Sequence, residues 1–392
     1  MGVVINEREE MQRESDSQPS QKRITGFFAM IAFTAILLAV LELLSFLAMR
    51  VLRASVFEET PGARMLAAYK GQSWAEALAR EEKESRKIYD YKPYTIWRSR
   101  PHQGQAVNID ENGMRKTYFS HCDTNEFTIW MFGGSTMRGN GSPDWGTIPS
   151  QLAELYEKNG QPACVRNFGE GAWVSTQEVT QLMLALKSES RKPNLVIFYD
   201  GANDAFVPYQ SGKANVHMNF DTIRNQFESQ RDLRQGSFGY LLHTNLVQLV
   251  FSLAMRAQEH VGDRAIPASD LDGLARATVN NYFGNLDVVH GLAQQYGFDY
   301  EFFWQPNLFT SRKELFGPEK EIQHSPKLVH LEQWVPRVYE MVGQEKRDHF
   351  YNISDALDGV HQQAYLDWCH VVMSANHVIA LRMFDAVHHG NS

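Results

Sequence analysis

The sequence predicts an α/β protein with a parallel sheet, preceded by one transmembrane helix. From Asn125 onward, short apolar runs alternate with stretches of helical periodicity, which is the pattern of parallel strands joined by helical crossovers. Ahead of this region lies one apolar segment long enough to cross a bilayer. Polar residues that could carry chemistry follow the predicted strands directly, where open α/β sheets build their sites.

Composition sets the class of protein. The chain has 392 residues, of which 43% are hydrophobic and 21% charged, so it can bury a large core and is not a disordered chain. With 38 Lys and Arg against 46 Asp and Glu, the net charge is −8, and we expect no nucleic-acid partner. Three cysteines (Cys122, Cys164 and Cys369) are too few for a disulfide framework or a zinc cluster, although one bridge stays open.

The apolar segment runs from Ile24 to Met49 and contains no Lys or Arg. As a helix rising ~1.5 Å per residue it is long enough for a ~30 Å hydrocarbon core, so we expect an anchor in the lipid bilayer. A cleaved signal peptide is the alternative, but Arg50-Val-Leu-Arg53 follows where small residues would be expected. Glu42 is its one ionisable residue, which is either protonated or near the interface, or else marks a helix partner.

Orientation in the membrane does not follow from charge, because basic residues flank the helix equally on both sides. The two sets are Arg13, Lys22 and Arg23 before it, and Arg50, Arg53 and Arg64 after it.

Four regions are predicted along the chain. Residues 1–23 form a flexible polar tail, residues 24–49 the transmembrane helix, and residues 50–124 a membrane-proximal stalk with a hairpin. The charged stretch Ser73 to Lys87 is typical of a solvated stalk or exposed helix. Val107 to Arg115 predicts a hairpin in which Asn112-Gly113 supplies positive backbone angles.

Residues 125–392 form the predicted catalytic domain. Thr176 to Lys187 predicts a helix, because its apolar residues recur at i, i+3, i+4 and i+7. Residues 206–270 interrupt the alternation as a helical insertion, whose apolar stretch Tyr240 to Met255 is expected to cap the sheet. The expected strands are Phe127 to Phe132, Cys164 to Phe168, Leu195 to Tyr199, Tyr300 to Trp304 and Phe350 to Ile353.

Ser135 is placed as a nucleophile would be. It follows the first predicted strand in Gly133-Gly134-Ser135-Thr136, and the two glycines allow a sharp turn at the mouth of the sheet. A serine that caps a helix N-terminus is the alternative. Gly169 follows the second strand and Asn203 the third; their N–H groups, with that of Ser135, could form an oxyanion hole, although either segment could be an ordinary turn.

Asp367 and His370 lie three residues apart near the C-terminus, so the carboxylate can hold the imidazole tautomer that accepts a serine proton. A surface Asp-His pair is the alternative, and metal binding is a second one. The C-terminal histidines do not have the spacing of a compact metal site, so neither metal nor cofactor is expected. These histidines are His361, His370, His377, His388 and His389.

Together and in this order, the four segments resemble the SGNH (GDSL-type) hydrolase superfamily over about residues 125 to 390. The resemblance implies a flavodoxin-like three-layer α/β/α fold, with Ser135 as nucleophile and Asp367 and His370 as acid and base. It also implies an oxyanion hole formed by Ser135, Gly169 and Asn203. Two departures are Gly134, which replaces the family's commoner aspartate, and a long separation between Asn203 and Asp367, which the insertion explains.

Together with the predicted anchor, the resemblance implies a membrane-anchored serine esterase that acts on an acylated small molecule or polysaccharide. Chemistry on envelope esters favours a catalytic domain outside the cytoplasm, and this is the expected localisation. An O-acyltransferase would use the same residues, because only the second acceptor of the acyl group differs. A non-catalytic scaffold in an envelope assembly is the alternative from another class. Trp173 and Trp304 are compatible with a saccharide substrate, but core packing is the commoner role of such residues.

Overall fold

The computed structural model describes residues 26–50, 61–86, 88–122, 126–234, 244–247, 249–250, 253 and 268–390. Two compact units divide the chain, one comprising Met1–Glu58 with Asn225–Ala265 and the other Glu59–Arg224 with Ile266–Ser392. The predicted tail at residues 1–23 lies outside the described residues.

The first unit contains helix α1 (Gly26–Arg50), whose 25 residues are long and apolar enough to cross a membrane. At ~1.5 Å per residue it extends about 37 Å, which exceeds the hydrocarbon thickness of a bilayer. Its bounds agree with the predicted segment to within two residues. Length and composition are equally those of a signal sequence, so they support an anchor without deciding between the two.

The second unit begins with α2 (Pro61–Ala68) and α3 (Ala75–Ser85), and the prediction of a solvated stalk at residues 73–87 is wrong. Two acidic side chains of α3 are buried. The Glu81 carboxylate accepts hydrogen bonds from the backbone N–H groups of residues 105–107 at 2.8–3.0 Å, and Glu82 pairs with Arg115 at 2.9 Å. Charge density alone could not reveal partners that lie so far along the chain.

Two short hairpins precede the main sheet: β1 (Tyr89–Lys92) pairs with β2 (Ile96–Ser99), and β3 (His102–Gln103) with β4 (Asn108–Ile109). The hairpin predicted at 107–115 is present as a bridge between Ile109 and Arg115. Its turn uses one positive angle, φ +76° at Gly113, whereas Asn112 is not among the residues with positive φ. The prediction of a turn with two positive angles is therefore wrong in that detail.

Five parallel strands form the main sheet, in the order β6-β5-β7-β8-β9. Numbered within the sheet this is 2-1-3-4-5, the flavodoxin-like order, so the predicted α/β fold is confirmed. The first and last residues of each strand agree with the predicted ones to within one residue. The strands are β5 (Phe127–Gly133), β6 (Ala163–Asn167), β7 (Leu195–Asp200), β8 (Asp299–Trp304) and β9 (Phe350–Asn352).

Helices cover both faces of the sheet, because successive residues of β5 point to opposite sides. Ile129 and Met131 belong to one apolar core, and Trp130 and Phe132 belong to the other. Helices α5 (Ile148–Lys158) and α12 (Met373–His389) pack into the first core. Helices α6 (Ser175–Ser188), α9 (Ala268–Tyr296) and α11 (Val329–Gly343) pack into the second, which gives three layers.

Shorter helices lie in the connections: α4 (Ser135–Arg138), α7 (Ala202–Ser211), α8 (Phe220–Arg234) and α10 (Gly317–Gln323). The described part of the insertion includes helical residues 245–247 and 249–250. These residues belong to the same compact unit as α1. The rest of the stretch predicted to cap the sheet, at 240–243, 248, 251–252 and 254–255, lies outside the described residues, and the cap stays a prediction. Trp173 and Trp304 are both fully buried core residues.

One disulfide joins Cys122 to Cys164, at the start of β6, while Cys369 is a buried free thiol. The two bonded residues are separated by 42 positions, so the bridge ties the segment that precedes β5 to the neighbouring strand. Sequence alone left this pairing open.

Candidate active site

Three of the four predicted segments lie at the carboxyl ends of neighbouring strands. Ser135 is the first residue of α4, two positions after β5 ends, and Asn203 lies in the first turn of α7, just after β7. Gly169 follows β6 on the other side of β5. Because the carboxyl ends of parallel strands share one edge, the topology brings these residues together.

Ser135, His370 and Asp367 form a continuous chain of hydrogen bonds. His370 Nε2 lies 2.7 Å from Ser135 Oγ, and its Nδ1 lies 2.7 Å from Asp367 Oδ2. All three side chains are half-buried. This spacing is within the hydrogen-bond reach that a nucleophile and its general base require.

The state of Asp367 fixes the direction of these bonds. Burial opposes its ionisation, but the neighbouring His370 and the backbone N–H groups of residues 369 and 370 outweigh it and hold the Asp367 pKa well below its usual value. Since the carboxylate then has no proton to donate, His370 donates through Nδ1 and accepts through Nε2. The Ser135 hydroxyl therefore donates to His370.

The Asp367–His370 turn is held closed by its own backbone. Tyr365 bridges Val371, and the Leu366 N–H donates to the His370 carbonyl at 2.8 Å. Within the turn, Asp367 Oδ1 accepts the N–H groups of Cys369 at 2.9 Å and His370 at 2.7 Å. One carboxylate thus shapes the turn with one oxygen and holds the imidazole with the other.

Two of the predicted oxyanion donors, the Ser135 N–H and the Asn203 amide, lie at the start of α4. Ser135 begins α4, so its N–H has no intrahelical partner. The Asn203 amide packs against Gly134, the residue before Ser135, so closely that a Cβ at position 134 would lie 2.2 Å from Asn203 Nδ2. Asn203 Nδ2 donates one hydrogen to the Trp173 carbonyl at 2.7 Å, which orients the amide.

Gly169 is close to the same helix, but its N–H is engaged. A Cβ at this position would lie 2.5 Å from the Arg138 backbone nitrogen, so only glycine allows this approach. The Gly169 N–H donates to Asn167 Oδ1 at 2.9 Å. Its role as a third oxyanion donor stays a prediction.

A buried ionic network that the sequence did not reveal lies behind α4. Arg138, the last residue of this helix, donates to Ser85 Oγ at 3.2 Å and lies 4.0 Å from Glu170 Oε1. Glu170, next to Gly169, accepts hydrogen bonds from the Ser99 N–H at 2.7 Å and hydroxyl at 2.8 Å. The segments before β5 therefore hold both α4 and the loop after β6 in place.

Three buried carboxyl groups, those of Glu178, Asp200 and Asp204, lie on α6, at the end of β7 and in the first turn of α7. Burial and the neighbouring acids raise the pKa values of Glu178 and Asp200 well above their ordinary range. Burial also raises the pKa of Asp204 to about 6. Asp204 accepts hydrogen bonds from the Ser175 hydroxyl at 2.6 Å and N–H at 3.2 Å, which joins the starts of α6 and α7. These hydrogen bonds give Asp204 a structural role.

Asp367, Cys369 and His370 are the one set of three potential metal ligands close enough to share an ion among the described residues. Both His370 nitrogens are already engaged, by Asp367 and Ser135. Burial, together with the nearby Asp367 carboxylate, raises the pKa of the Cys369 thiol, which disfavours the thiolate that metals bind. A metal here would have to displace the hydrogen-bond chain, so these residues fit proton transfer better than metal binding.

No family model and no curated protein matches this sequence. Among solved structures, the chain is similar to a member of the lipolytic protein G-D-S-L family from Veillonella parvula DSM 2008, with 10% identity, a TM-score of 0.37 and coverage of 68% of this chain and 99% of that one. It is also similar to an acetylxylan esterase from Geobacillus stearothermophilus, with 10% identity, a TM-score of 0.34 and coverage of 67% and 94% respectively. A third similar structure is an alpha/beta hydrolase from the metagenome of Lake Arreo, Spain, with 14% identity, a TM-score of 0.32 and coverage of 68% and 96%.

Proposed function

We propose that this protein is a membrane-anchored serine esterase of SGNH type. The observation that carries the proposal is the chain from Ser135 Oγ through His370 to Asp367, with 2.7 Å at each step. Neither alternative accounts for this arrangement. A serine that only caps a helix does not require a hydrogen bond to an imidazole, and a surface Asp-His pair does not require one to a serine. The order of the four polar segments along the chain supports the SGNH assignment.

The first half of the proposed reaction forms an acyl-enzyme. Ser135 Oγ attacks the ester carbonyl carbon while its proton moves to His370 Nε2, and Asp367 stabilises the resulting imidazolium. The Ser135 N–H and the Asn203 amide donate to the oxyanion, with Gly169 as the proposed third donor. When the tetrahedral intermediate collapses, His370 returns its proton to the departing alcohol oxygen.

The second half releases the acyl group. His370 removes a proton from water, the hydroxide attacks the acyl carbon, and Ser135 Oγ leaves with the proton from His370. The products are a carboxylic acid and the free enzyme. If a sugar hydroxyl replaces water, the same steps give an O-acyltransferase; we propose hydrolysis of an acyl ester, with acetyl on a carbohydrate or another envelope component as the substrate.

We further propose that the catalytic domain lies outside the cytoplasm. The disulfide between Cys122 and Cys164 supports this, since such bonds form and persist in oxidising compartments and are rare in the cytosol. Helix α1 then enters with its N-terminus on the cytoplasmic side. Protease added to intact spheroplasts should digest the chain after residue 54, whereas full protection would reverse the orientation.

The activity is tested by labelling the purified full chain with a fluorophosphonate probe and by measuring hydrolysis of p-nitrophenyl acetate. Both signals should disappear in Ser135→Ala, with the thermal transition nearly unchanged because Ser135 is a half-buried residue at the start of a four-residue helix and not a core residue. Ser142→Ala is a matched control elsewhere in the same region and should keep both signals. Probe labelling that survives in Ser135→Ala would refute the nucleophile, and a wild type that never labels would favour the scaffold. Hydrolysis measured with and without saccharide acceptors distinguishes an esterase from a transferase.

A further inference from the structure

Glu42, the one ionisable residue of α1 before Arg50, has partners in the insertion. Its carboxylate accepts hydrogen bonds from the Asn245 side chain at 2.8 Å and from the Leu246 N–H at 3.0 Å, and it also accepts the Asn245 backbone N–H. Asn245 and Leu246 begin a helical turn. The carboxylate therefore satisfies backbone donors that the start of a helix leaves without intrahelical partners.

Glu42 lies inside the apolar helix and not at its end. It lies eight positions before Arg50, which at ~1.5 Å per residue places it about 12 Å from the end of α1 that leads to the catalytic unit. Within a bilayer, backbone N–H groups cannot be satisfied by water and must find partners in the protein. A carboxylate that accepts two such backbone groups and one side-chain amide is suited to a helix that starts within the membrane.

The chain around these partners has the composition of a lipid-facing segment. No Asp, Glu, Lys or Arg occurs between Arg234 and Arg256, and only Gln248 and Ser252 are polar from Leu246 to Met255. Two of its described apolar side chains are exposed, Val250 by 59% and Leu253 by 47%. Apolar side chains exposed to this extent are poorly solvated by water, and the segment that carries them is joined to α1 through Glu42.

Connectivity limits how this segment can meet a membrane. Residues 224 and 266, which flank it, both belong to the unit that carries the sheet. The segment must therefore enter and leave the bilayer on the same side. A helix that dips into one leaflet meets this condition, whereas a second transmembrane crossing does not.

We propose that the insertion helix, a name used here for the described residues 244–247, 249–250 and 253, dips into one leaflet of the bilayer and contacts lipid through Val250 and Leu253. Glu42 caps the start of the insertion helix from within α1. The partner is the hydrocarbon region of the bilayer, because Glu42 joins the insertion helix to a helix that is itself long and apolar enough to span it. This inference rests on the membrane anchor of the proposed function, and it gives the chain a second point of attachment.

Fluorescence quenching by spin-labelled lipid tests the contact. The full chain carries one NBD fluorophore on a new cysteine, in vesicles of phosphatidylcholine and phosphatidylglycerol with a nitroxide at carbon 5 of the acyl chain. Three sites are compared: Leu253→Cys in the insertion helix, Leu38→Cys in α1, and Tyr91→Cys, which is 76% exposed in the catalytic unit. The unsubstituted chain measures background labelling of the buried Cys369.

We expect the nitroxide to quench NBD at positions 253 and 38 by about threefold or more and to leave position 91 unchanged, because only the first two contact acyl chains. Quenching at position 38 but not at 253 would overturn the inference and leave the anchor intact. A blue-shifted but unquenched fluorophore at position 253 would also overturn it, because protein and not lipid then covers the helix. Absence of quenching at both positions would refute the anchor as well.

Substitution of Glu42 tests the cap. Glu42→Ala removes both acceptor oxygens, so quenching at position 253 should fall by about half or more while quenching at position 38 persists. Glu42→Gln keeps one acceptor oxygen and should give an intermediate value. Hydrolysis of a water-soluble ester should stay unchanged in both variants, which shows that the catalytic unit is folded. Unchanged quenching at position 253 in Glu42→Ala would overturn the capping role.

Discussion

The substitution Asp367→Asn tests whether the hydrogen-bond chain from Ser135 through His370 to Asp367, here called the relay, takes part in catalysis. In the wild type, Asp367 Oδ1 accepts two backbone N–H groups at 2.9 and 2.7 Å, while Oδ2 accepts the His370 Nδ1 proton at 2.7 Å. An asparagine has only one oxygen. If that oxygen keeps the two backbone bonds, its NH₂ group must face His370 Nδ1.

The consequence is the wrong tautomer. His370 would then accept at Nδ1 and carry its proton on Nε2, where it meets Ser135 Oγ with a hydrogen in place of a lone pair. Turning the amide over restores the tautomer but breaks both backbone bonds, at about 1 to 1.5 kcal/mol each. That cost of about 2 to 3 kcal/mol corresponds to roughly 10²-fold in rate, before the loss of the anion that stabilises the imidazolium.

We therefore expect kcat to fall about 10³-fold, within the ~10⁴-fold bound of the comparable serine-protease substitution. The assay is p-nitrophenyl acetate hydrolysis from pH 6 to 9 by the full chain in detergent. Asp358→Asn is the matched control, because Asp358 also accepts a backbone N–H, that of Arg312 at 2.8 Å, but lies outside the relay. If Asp367→Asn stays within about threefold of wild type at every pH, a dyad of Ser135 and His370 replaces the triad.

Three further predictions concern the surroundings of the relay. Asn203→Ala should lower kcat by roughly 10²- to 10³-fold with little change in KM, because it removes a donor used in the transition state; an effect on KM alone would assign it to substrate binding. The pKa of Glu178 is raised in the folded protein, so its protonated carboxyl group contributes fully to stability below the pKa of the unfolded state. This contribution is lost as the pH rises through the pKa of the folded state. In urea unfolding, the free energy of unfolding should therefore fall less from pH 5 to pH 8 in Glu178→Gln than in the wild type. An equal fall in both proteins would contradict the prediction. Glu82→Ala leaves the buried Arg115 with one carboxylate fewer and should reduce the free energy of unfolding by about 3 kcal/mol, whereas a solvated stalk residue would change it by less than about 0.5 kcal/mol.

The sheet could be predicted because each of its strands carries its own signal. A buried parallel strand is a short continuous apolar run, and in β7 every residue from Leu195 to Asp200 is buried. The catalytic candidates could be located for a related reason. Glycine, asparagine and serine directly after such runs fall at the shared carboxyl edge, whatever the order of the strands.

Long-range polar pairing could not be predicted in the same way. Glu82 and Glu81 have the local pattern of an exposed charged helix, and only their partners 24 to 33 residues later make them buried. Glu178 shows the same limit, because its position on α6 fits an amphipathic helix with a polar face, yet it is fully buried. Periodicity describes how a segment faces its surroundings, but not which charges it meets there.

The position of His370 depends on the same kind of pairing. It comes after β9, the edge strand three places from β5, and at ~4.8 Å per strand the loop must reach back about 14 Å to Ser135. Glu319, paired with Lys313 at 2.8 Å, accepts the N–H groups of Ala364 and Tyr365 at 2.9 and 3.0 Å and so fixes the start of the turn. Farther along, the N–H of residue 308 donates to the carbonyl of residue 368 at 2.8 Å and pins the turn to the segment that follows β8. The spacing Asp-x-x-His therefore determines the contact between Asp367 and His370 within the turn. The buried Lys313–Glu319 ion pair, which no motif contains, positions the turn beside Ser135.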